Sequence, residues 1–319
     1  MKLSVKKILI GSRASKLALM QADEVKNLIL SSHPEYQKHP DLISIIHFKT
    51  TGDKITNKSL VDIGGKGLFI KEIEEALSLK KIDIAVHSMK DMPAFFKDDL
   101  GIFAIPERND HRDAFISNKY SSISDLPKNS TVGTSSPRRA SLILSHRPDL
   151  KIINFRGNVG TRLRKLEENQ VDATILAVAG LNRLNMSDKI TNIIDEDEIL
   201  PAVGQGALAL QCRKDDQFTI NILEPLNHQS SKYCVLAERA FLKTIDGSCN
   251  TPLAAYCSVQ NGKLHLKVLL ASLDGKKICR TSRIGNFEDA INMGNDAGEE
   301  IKKNGKHILD DLNEYDSSY

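Results

Sequence analysis

The chain opens with a short continuous apolar run, Ile8-Leu9-Ile10, and then changes period. Beyond Gly11-Ser12-Arg13, apolar residues recur at Leu17, Ala18, Val25, Leu28 and Ile29, the three-and-four spacing of a helix with one buried face. The pattern predicts a strand at 8–10 and a helix from about 15 to 30. Residues 42–48 read as the next strand, and a Gly/Thr/Asp-rich loop runs to Gly64-Gly65-Lys66-Gly67. A helix over 68–79 and a third strand over 82–86 follow, broken by Asp91-Met92-Pro93. Alternating strands and helices predict an α/β layer with a mainly parallel sheet.

The polar string Glu107-Arg108-Asn109-Asp110-His111-Arg112-Asp113 predicts a linker, after which the alternation resumes with strands at 114–117, 131–133, 151–155 and 173–176. Acidic Asp195-Glu196-Asp197-Glu198, running into Pro201, is a second hinge candidate. Gly11-Ser12-Arg13-Ala14-Ser15 has a weak echo in Arg139-Ala140-Ser141, which two similar lobes or coincidence would equally explain. Beyond Leu223 the character changes: a helix over 231–245, period-two alternation at Leu264, Leu266, Val268 and Leu270, and a helix over 287–303. These predict a small α+β domain with an antiparallel sheet.

Composition narrows the functions open to such a chain. Its 319 residues suffice for two or three domains with real cores. A net charge of +3 leaves no field of one sign over the whole molecule. With no Trp and few aromatics the chain lacks the stacking platforms of a single-strand nucleic-acid binder. The N-terminal apolar run is too short for a signal segment and has no small-residue cleavage site, and no stretch approaches a membrane span. Five cysteines, an odd number with no C-x-x-C pair, suggest neither a zinc site nor a disulfide framework. The expectation is a soluble, cytoplasmic protein.

The chemistry concentrates in two turns. Thr131-Val132-Gly133-Thr134-Ser135-Ser136-Pro137-Arg138-Arg139 and Lys151-Ile152-Ile153-Asn154-Phe155-Arg156-Gly157-Asn158-Val159-Gly160-Thr161-Arg162 each lead from a β-type run into a helix, with arginines crowding the handover. Helix starts present unpaired N–H groups and partial positive charge, and guanidinium forks recognise carboxylate or phosphate. Two such turns together predict a pocket for a ligand with several anionic groups. His87-Ser88-Met89-Lys90-Asp91 follows a strand directly, where ligands of open α/β sheets bind. Asp91 is the one carboxylate expected among Arg13, Lys90, Arg138, Arg139, Arg156 and Arg162, and the residues alone fit a structural salt bridge as well as a functional group. His87 reads as a packed or hydrogen-bonded histidine, since no other His or Cys sits at ligand spacing.

Gly65-Lys66-Gly67 lacks the first Gly and the Ser/Thr of a P-loop and reads as a flexible, cationic cover for an anion. Gly204-Gln205-Gly206-Ala207 is followed by a strand-like run, so it is not a dinucleotide fingerprint. Cys212, Cys257 and Cys279 lie in strand-like runs and Cys234 in a helix, whereas Cys249 sits in the turn after a helix that ends at Gly247. A thiol in such a turn can react or carry a covalent group.

In order along residues 8 to about 260, these strings resemble the hydroxymethylbilane synthase, or porphobilinogen deaminase, family. They are Gly11-Ser12-Arg13-Ala14-Ser15, Gly64-Gly65-Lys66-Gly67-Leu68-Phe69, Ala85-Val86-His87-Ser88-Met89-Lys90-Asp91, Gly133 to Arg139, Arg156 to Arg162, Leu200-Pro201-Ala202-Val203-Gly204-Gln205-Gly206, and Ala237-Glu238-Arg239-Ala240-Phe241-Leu242 leading to Cys249. The resemblance implies an enzyme that joins four porphobilinogen molecules head to tail with release of ammonia. The chain grows on a dipyrromethane cofactor attached by a thioether to Cys249. It implies Asp91 as the catalytic carboxylate opposing a cationic azafulvene. Arg13, Ser15, Lys66, Lys90, Thr134, Ser135, Ser136, Arg138, Arg139, Arg156, Arg162 and Arg183 would hold cofactor and substrate carboxylates. Within that set, Arg138, Arg139 and Arg156 would serve the fixed cofactor, and Arg13 and Arg162 the incoming substrate or growing chain.

The implied fold is two α/β lobes like type II periplasmic binding proteins plus a small C-terminal α+β domain carrying the cofactor cysteine. The corresponding division is 1–106 with 201–224, then 107–200, then 225–319. A monomer that hands its product to uroporphyrinogen III synthase, with no nucleic-acid or membrane partner and no metal, completes the expectation. Three positions depart from the family pattern: Asp62 in place of a Lys, Ser248 in place of the Gly before Cys249, and Pro137 in place of a Leu. Pro is well tolerated at a first helical position. A non-catalytic two-lobe binder of a polycarboxylate metabolite is the main rival, and it leaves Cys249 idle.

Overall fold

The computed structural model describes residues 6–50, 70–246 and 251–317, so the expected loop with Asp62 and Lys66 and the turn with Ser248 and Cys249 lie outside it. Among the described residues the strands are β1 (Ile8–Arg13), β2 (Ile43–Phe48), β3 (Ile84–Ser88), β4 (Leu100–Ala104), β5 (Asp113–Ile116), β6 (Thr131–Gly133), β7 (Lys151–Ile153), β8 (Ala173–Ala177), β9 (Asn192–Ile193), β10 (Leu208–Arg213), β11 (Leu253–Gln260), β12 (Lys263–Ala271) and β13 (Ile278–Gly285). They fall into two compact units, one of residues 6–50, 70–108 and 207–232, the other of 109–206 and the described residues from 233 on.

The first unit is built on a sheet of order β2-β1-β3-β10-β4. β1 pairs in parallel with β2 and β3, while β10 runs antiparallel to β3 and β4. Ile8, Ile10, Ile84, Val86, Leu208 and Leu210 meet Ala22, Val25 and Ile29 of the helix Lys16–Ser32 in one core. Each such aliphatic side chain contributes about 1.5–3 kcal/mol by leaving water. On the other face Ile73 and Leu77 of the helix Lys71–Ser78 pack with Ile82. A Cβ on Gly11 would meet the Ile82 side chain, so a larger residue here would make that side chain shift.

The second unit repeats the plan. Its sheet runs β7-β6-β8-β5-β9, with two parallel pairings about β6 and antiparallel β5 inserted between β8 and β9. Two lobes of one plan are thus present, as the resemblance implies. Antiparallel β11-β12-β13 form the smaller α+β part. Leu264, Leu266, Val268 and Leu270 face Phe241, Ala297 and Ile301 of the helices Gln229–Ile245 and Ala290–Asn304, as the period-two pattern predicts. The opposite face, with Ala254, Leu269 and Ala271, shares a core with Phe115, Val132, Leu142 and Ile175 of the second lobe.

Several expectations need correction. Each lobe sheet is mainly parallel as expected but carries one antiparallel strand, β10 or β5, which the alternation did not predict. Strands β4 and β9 and a last helix, Lys306–Ser317, were not legible. β7 stops at Ile153, and Phe155 turns under Gly133 into the core. The plan repeats but the string echo does not: Arg13 ends a strand, whereas Arg139 lies inside the helix Pro137–His146. Asp113, assigned to a linker, is the fully buried first residue of β5.

Candidate active site

In the first unit, β1 delivers Arg13 and hands over to the helix Lys16–Ser32, whose N-cap Ser15 accepts from the Ala18 amide at 3.3 Å. The neighbouring parallel strand β3 ends in His87 and Ser88 and passes into the short turn Met89–Asp91. The carboxyl ends of both strands therefore open on one pocket, lined by Arg13, Ser15, Gln21, His87, Ser88 and Asp91. Lys90 sits in the turn beside Asp91.

The Asp91 carboxylate has no hydrogen bond or ion pair to any described residue, so the structural salt bridge that fitted the sequence is absent among them. Gln21 Nε2 donates to Ser88 Oγ at 2.8 Å, and Ser88 Oγ donates to Gln21 Oε1 at 3.2 Å. His87 is hydrogen-bonded to the Gln211 side chain at 3.1 Å, and Gln211 donates to Glu74 at 2.8 Å. Burial, reinforced by the Arg13 charge and only partly offset by the Gln211 bond, pushes His87 down to about 4. The ring stays neutral at physiological pH, the hydrogen-bonded histidine expected from the sequence.

In the second unit the adjacent parallel strands β6 and β7 carry the two turns side by side. Ser135 Oγ bridges them, donating to Asn154 Oδ1 at 2.6 Å and accepting from the Phe155 amide at 3.0 Å. Ser136 caps the helix Pro137–His146, and Asn158 caps Val159–Glu167 with a 2.8 Å bond from Thr161. Thr134 is buried and accepts from the Ser136 amide at 3.2 Å. Arg162 donates from Nε to the Gly157 carbonyl at 2.8 Å. Burial and the charges of Arg139 and Arg156 lower its affinity for a proton to a pKa of about 10. Arg183 ends the helix Val178–Arg183 and reaches the Gly206 carbonyl at 3.4 Å.

A second carboxylate, missed in the sequence, organises this cluster. Asp113 Oδ2 accepts from Arg138 Nη1 at 2.8 Å, and Oδ1 accepts from Arg139 Nη2 at 2.6 Å and from Gln205 at 2.9 Å. Burial alone would raise the Asp113 pKa, but the two guanidiniums outweigh it and hold the carboxyl well below the usual range. Asp91 is thus not the sole carboxylate among the predicted site arginines. Arg138 also donates to the Leu200 carbonyl at 2.8 Å, and Arg139 to that of Ile175 at 2.9 Å. The only signal for Asp113 was an acid placed directly before the apolar run Ala114-Phe115-Ile116. Gly206, at φ +91°, approaches the Asn109 carbonyl too closely for a Cβ.

The arrangement suits a polycarboxylate. The Arg138 Nε is buried without a hydrogen-bond partner, and Arg162 stands among like charges that an anion would relieve. Outside the turns, the expected hinge segments line a hollow of Asp110, His111, Arg112, Asp195, Glu196 and Asp197. There the polar groups pair internally, with His111 hydrogen-bonded to Glu196 at 3.0 Å and Lys267 ion-paired to Glu196 and Asp197 at 3.0 and 2.8 Å. Cys212, Cys257 and Cys279 lie on strands and Cys234 on a helix, as expected. Burial, with help from Asp216, pushes the Cys212 thiol up to about 12. Such a thiol is inert. Lys66 and Cys249 are outside the described residues. No described helix is long and apolar enough to cross a membrane.

Comparison with known proteins bears on what this arrangement serves. Residues 8–221 match the family described as porphobilinogen deaminase, dipyromethane cofactor binding domain, and residues 232–303 match the porphobilinogen deaminase C-terminal domain. The chain is 48% identical over 309 residues to the chloroplastic porphobilinogen deaminase of Oryza sativa subsp. japonica, covering 96% of this chain and 86% of the relative. It is 46% identical over 308 residues to the porphobilinogen deaminase of Trichlorobacter lovleyi, covering 96% and 97%. Among solved structures it is similar to the methionine-binding protein MetQ, with TM-score 0.44 and 13% identity over 74% of this chain and 96% of that one. The chain belongs to the porphobilinogen deaminase family.

Proposed function

We propose that this chain condenses four porphobilinogen molecules head to tail into hydroxymethylbilane, releasing ammonia at each step, on a dipyrromethane held by a thioether to Cys249. The observation that carries the reading is the Asp91 carboxylate, which no described residue neutralises, at the carboxyl ends of β1 and β3. In the low-dielectric pocket of Arg13, Ser15 and His87 such a group opposes positive charge as it develops on the substrate and accepts from pyrrole N–H groups. Arg138, Arg139 and Arg156, with Thr134, Ser135 and Ser136, hold the carboxylates of the fixed group. Arg13, Ser15, Lys90, Arg162 and Arg183 handle the incoming or growing chain, and Lys66 covers it. When bound, the dipyrromethane supplies the nucleophilic pyrrole carbon from which the product grows.

The same reading carries the three-domain division at 1–106 with 201–224, 107–200 and 225–319. It also carries a cytoplasmic monomer whose product passes to uroporphyrinogen III synthase. Family membership leaves the non-catalytic polycarboxylate binder without support. The test is the intact mass of purified, active protein. It should exceed the sequence mass by two linked pyrrole units, and Cys249→Ser should abolish the excess. Active protein of unmodified mass, or an excess mapping to another cysteine, would overturn the reading.

A further inference from the structure

The buried polar chain behind the Asp91 pocket does something the reading above leaves unused. Glu74, on the helix Lys71–Ser78, is buried, and its Oε1 is the acceptor of a bond from Gln211 Nε2. The Gln211 amide thus turns its NH2 toward Glu74, where the separation is 2.8 Å. Its carbonyl then faces His87 Nε2 at 3.1 Å, and a carbonyl can only accept. The proton of the neutral ring is fixed on Nε2. Nδ1 is left as a bare lone pair on a residue that lines the same pocket as Asp91.

We propose that His87 is a further substrate-binding residue, locked by Glu74 and Gln211 in the Nε2–H tautomer so that Nδ1 accepts an N–H of an aminomethyl-pyrrole beside Asp91. The ligand class rests on the functional reading above; the tautomer does not. Gln21 and Ser88, the neighbouring polar groups, are engaged with each other, whereas His87 Nδ1 and the Asp91 carboxylate have no described partner. The two are complementary. Asp91 answers charge, while a neutral nitrogen answers direction without adding a second negative group.

The full-length protein labelled with 15N-histidine gives the test. Long-range 1H–15N spectra at pH 7, with the His87 signals identified by their loss in His87→Asn, should show the Nε2–H tautomer in the wild type. Glu74→Gln should convert it to a mixture, because a glutamine can donate as well as accept. The same variant should raise the KM for porphobilinogen on the order of fivefold, the worth of one neutral hydrogen bond, with kcat little changed. If Glu74→Gln does not fold, Gln211→Met provides the same release. An Nδ1–H tautomer in the wild type, or a shifted tautomer with unchanged KM, would overturn the proposal. A wild-type protein that shows the Nε2–H form but does not consume porphobilinogen would overturn the functional reading and the ligand assignment with it.

Discussion

The two lobes share one sheet plan and place their chemistry at the same points, the carboxyl ends of adjacent parallel strands, yet they balance their charges differently. In the first lobe the strand ends set acceptors beside the cation Arg13: a carboxylate with no described partner and a histidine kept neutral by burial. In the second they present donors: guanidiniums gathered about a buried carboxylate, and two capped helix starts. The sheet therefore decides where a ligand sits, and the identity of a few buried ions decides what it can be. Such ions are held in different ways. Asp113 is tied by two arginines and a glutamine, so it belongs to the architecture. Asp91 is tied to none of the described residues, so its charge remains available.

That contrast breaks first at Asp113. Asp113→Asn leaves two guanidiniums buried without their counter-charge, a loss on the order of 3–5 kcal/mol for a broken buried ion pair. Chemical denaturation should show a fall of that size, and intact mass should show protein without the covalent pyrroles. A stable, fully loaded variant would mean that Asp113 does not organise the cluster.

Next comes pH. The folded His87 pKa of about 4 lies below the unfolded value near 6.5, so between them the unfolded chain binds the extra proton. The contribution of about 3 kcal/mol is fully present above pH 6.5 and is lost as the pH falls toward 4. His87→Gln should flatten the stability profile in that window. The depressed Asp113 carboxyl contributes above the ordinary carboxylate range and is lost only at lower pH. An unchanged profile in His87→Gln would show that the ring is not held neutral.

Asp91→Asn should cost turnover on the order of a hundredfold, about 2.7 kcal/mol, by removing one charge-stabilising group. Because Asp91 has no described partner, the melting temperature should hardly move. A large loss of stability with retained turnover would exchange the roles of Asp91 and Asp113 and collapse the comparison between the lobes.

Much of this site could be read from the chain, and what could not has a physical cause. Both arginine-bearing turns follow from local rules: a short apolar run, small hydroxyl residues, then a helix whose cap is Ser136 or Asn158. The strand-to-turn placement of Asp91 follows from the same grammar. Asp113 was invisible because its partners lie 25 and 26 residues away, and an isolated acid beside charged neighbours looks like surface. The relay from Glu74 through Gln211 to His87 spans 137 and 124 positions and carries no periodic signature. The antiparallel strand in the first sheet was missed for a related reason, since β10 returns from far along the chain and alternation within a segment says nothing of strand direction.

The smallest effect separates capping from binding at the two helix starts. Asn158 accepts a 2.8 Å bond from Thr161, whereas Ser136 accepts a 3.5 Å bond from Arg139, at the outer limit for a hydrogen bond. As a cap, Asn158→Ala should cost about 1 kcal/mol in thermal denaturation and leave the covalent pyrroles in place. Ser136→Ala should cost about half as much or less, because the bond it loses is long. If Ser136 also binds a cofactor carboxylate, its loss should lower the fraction of protein carrying the added mass more than it lowers stability. Both readouts come from one preparation. Equal loading in the two variants would make Ser136 a cap and nothing more, and would leave carboxylate binding at that turn to the arginines.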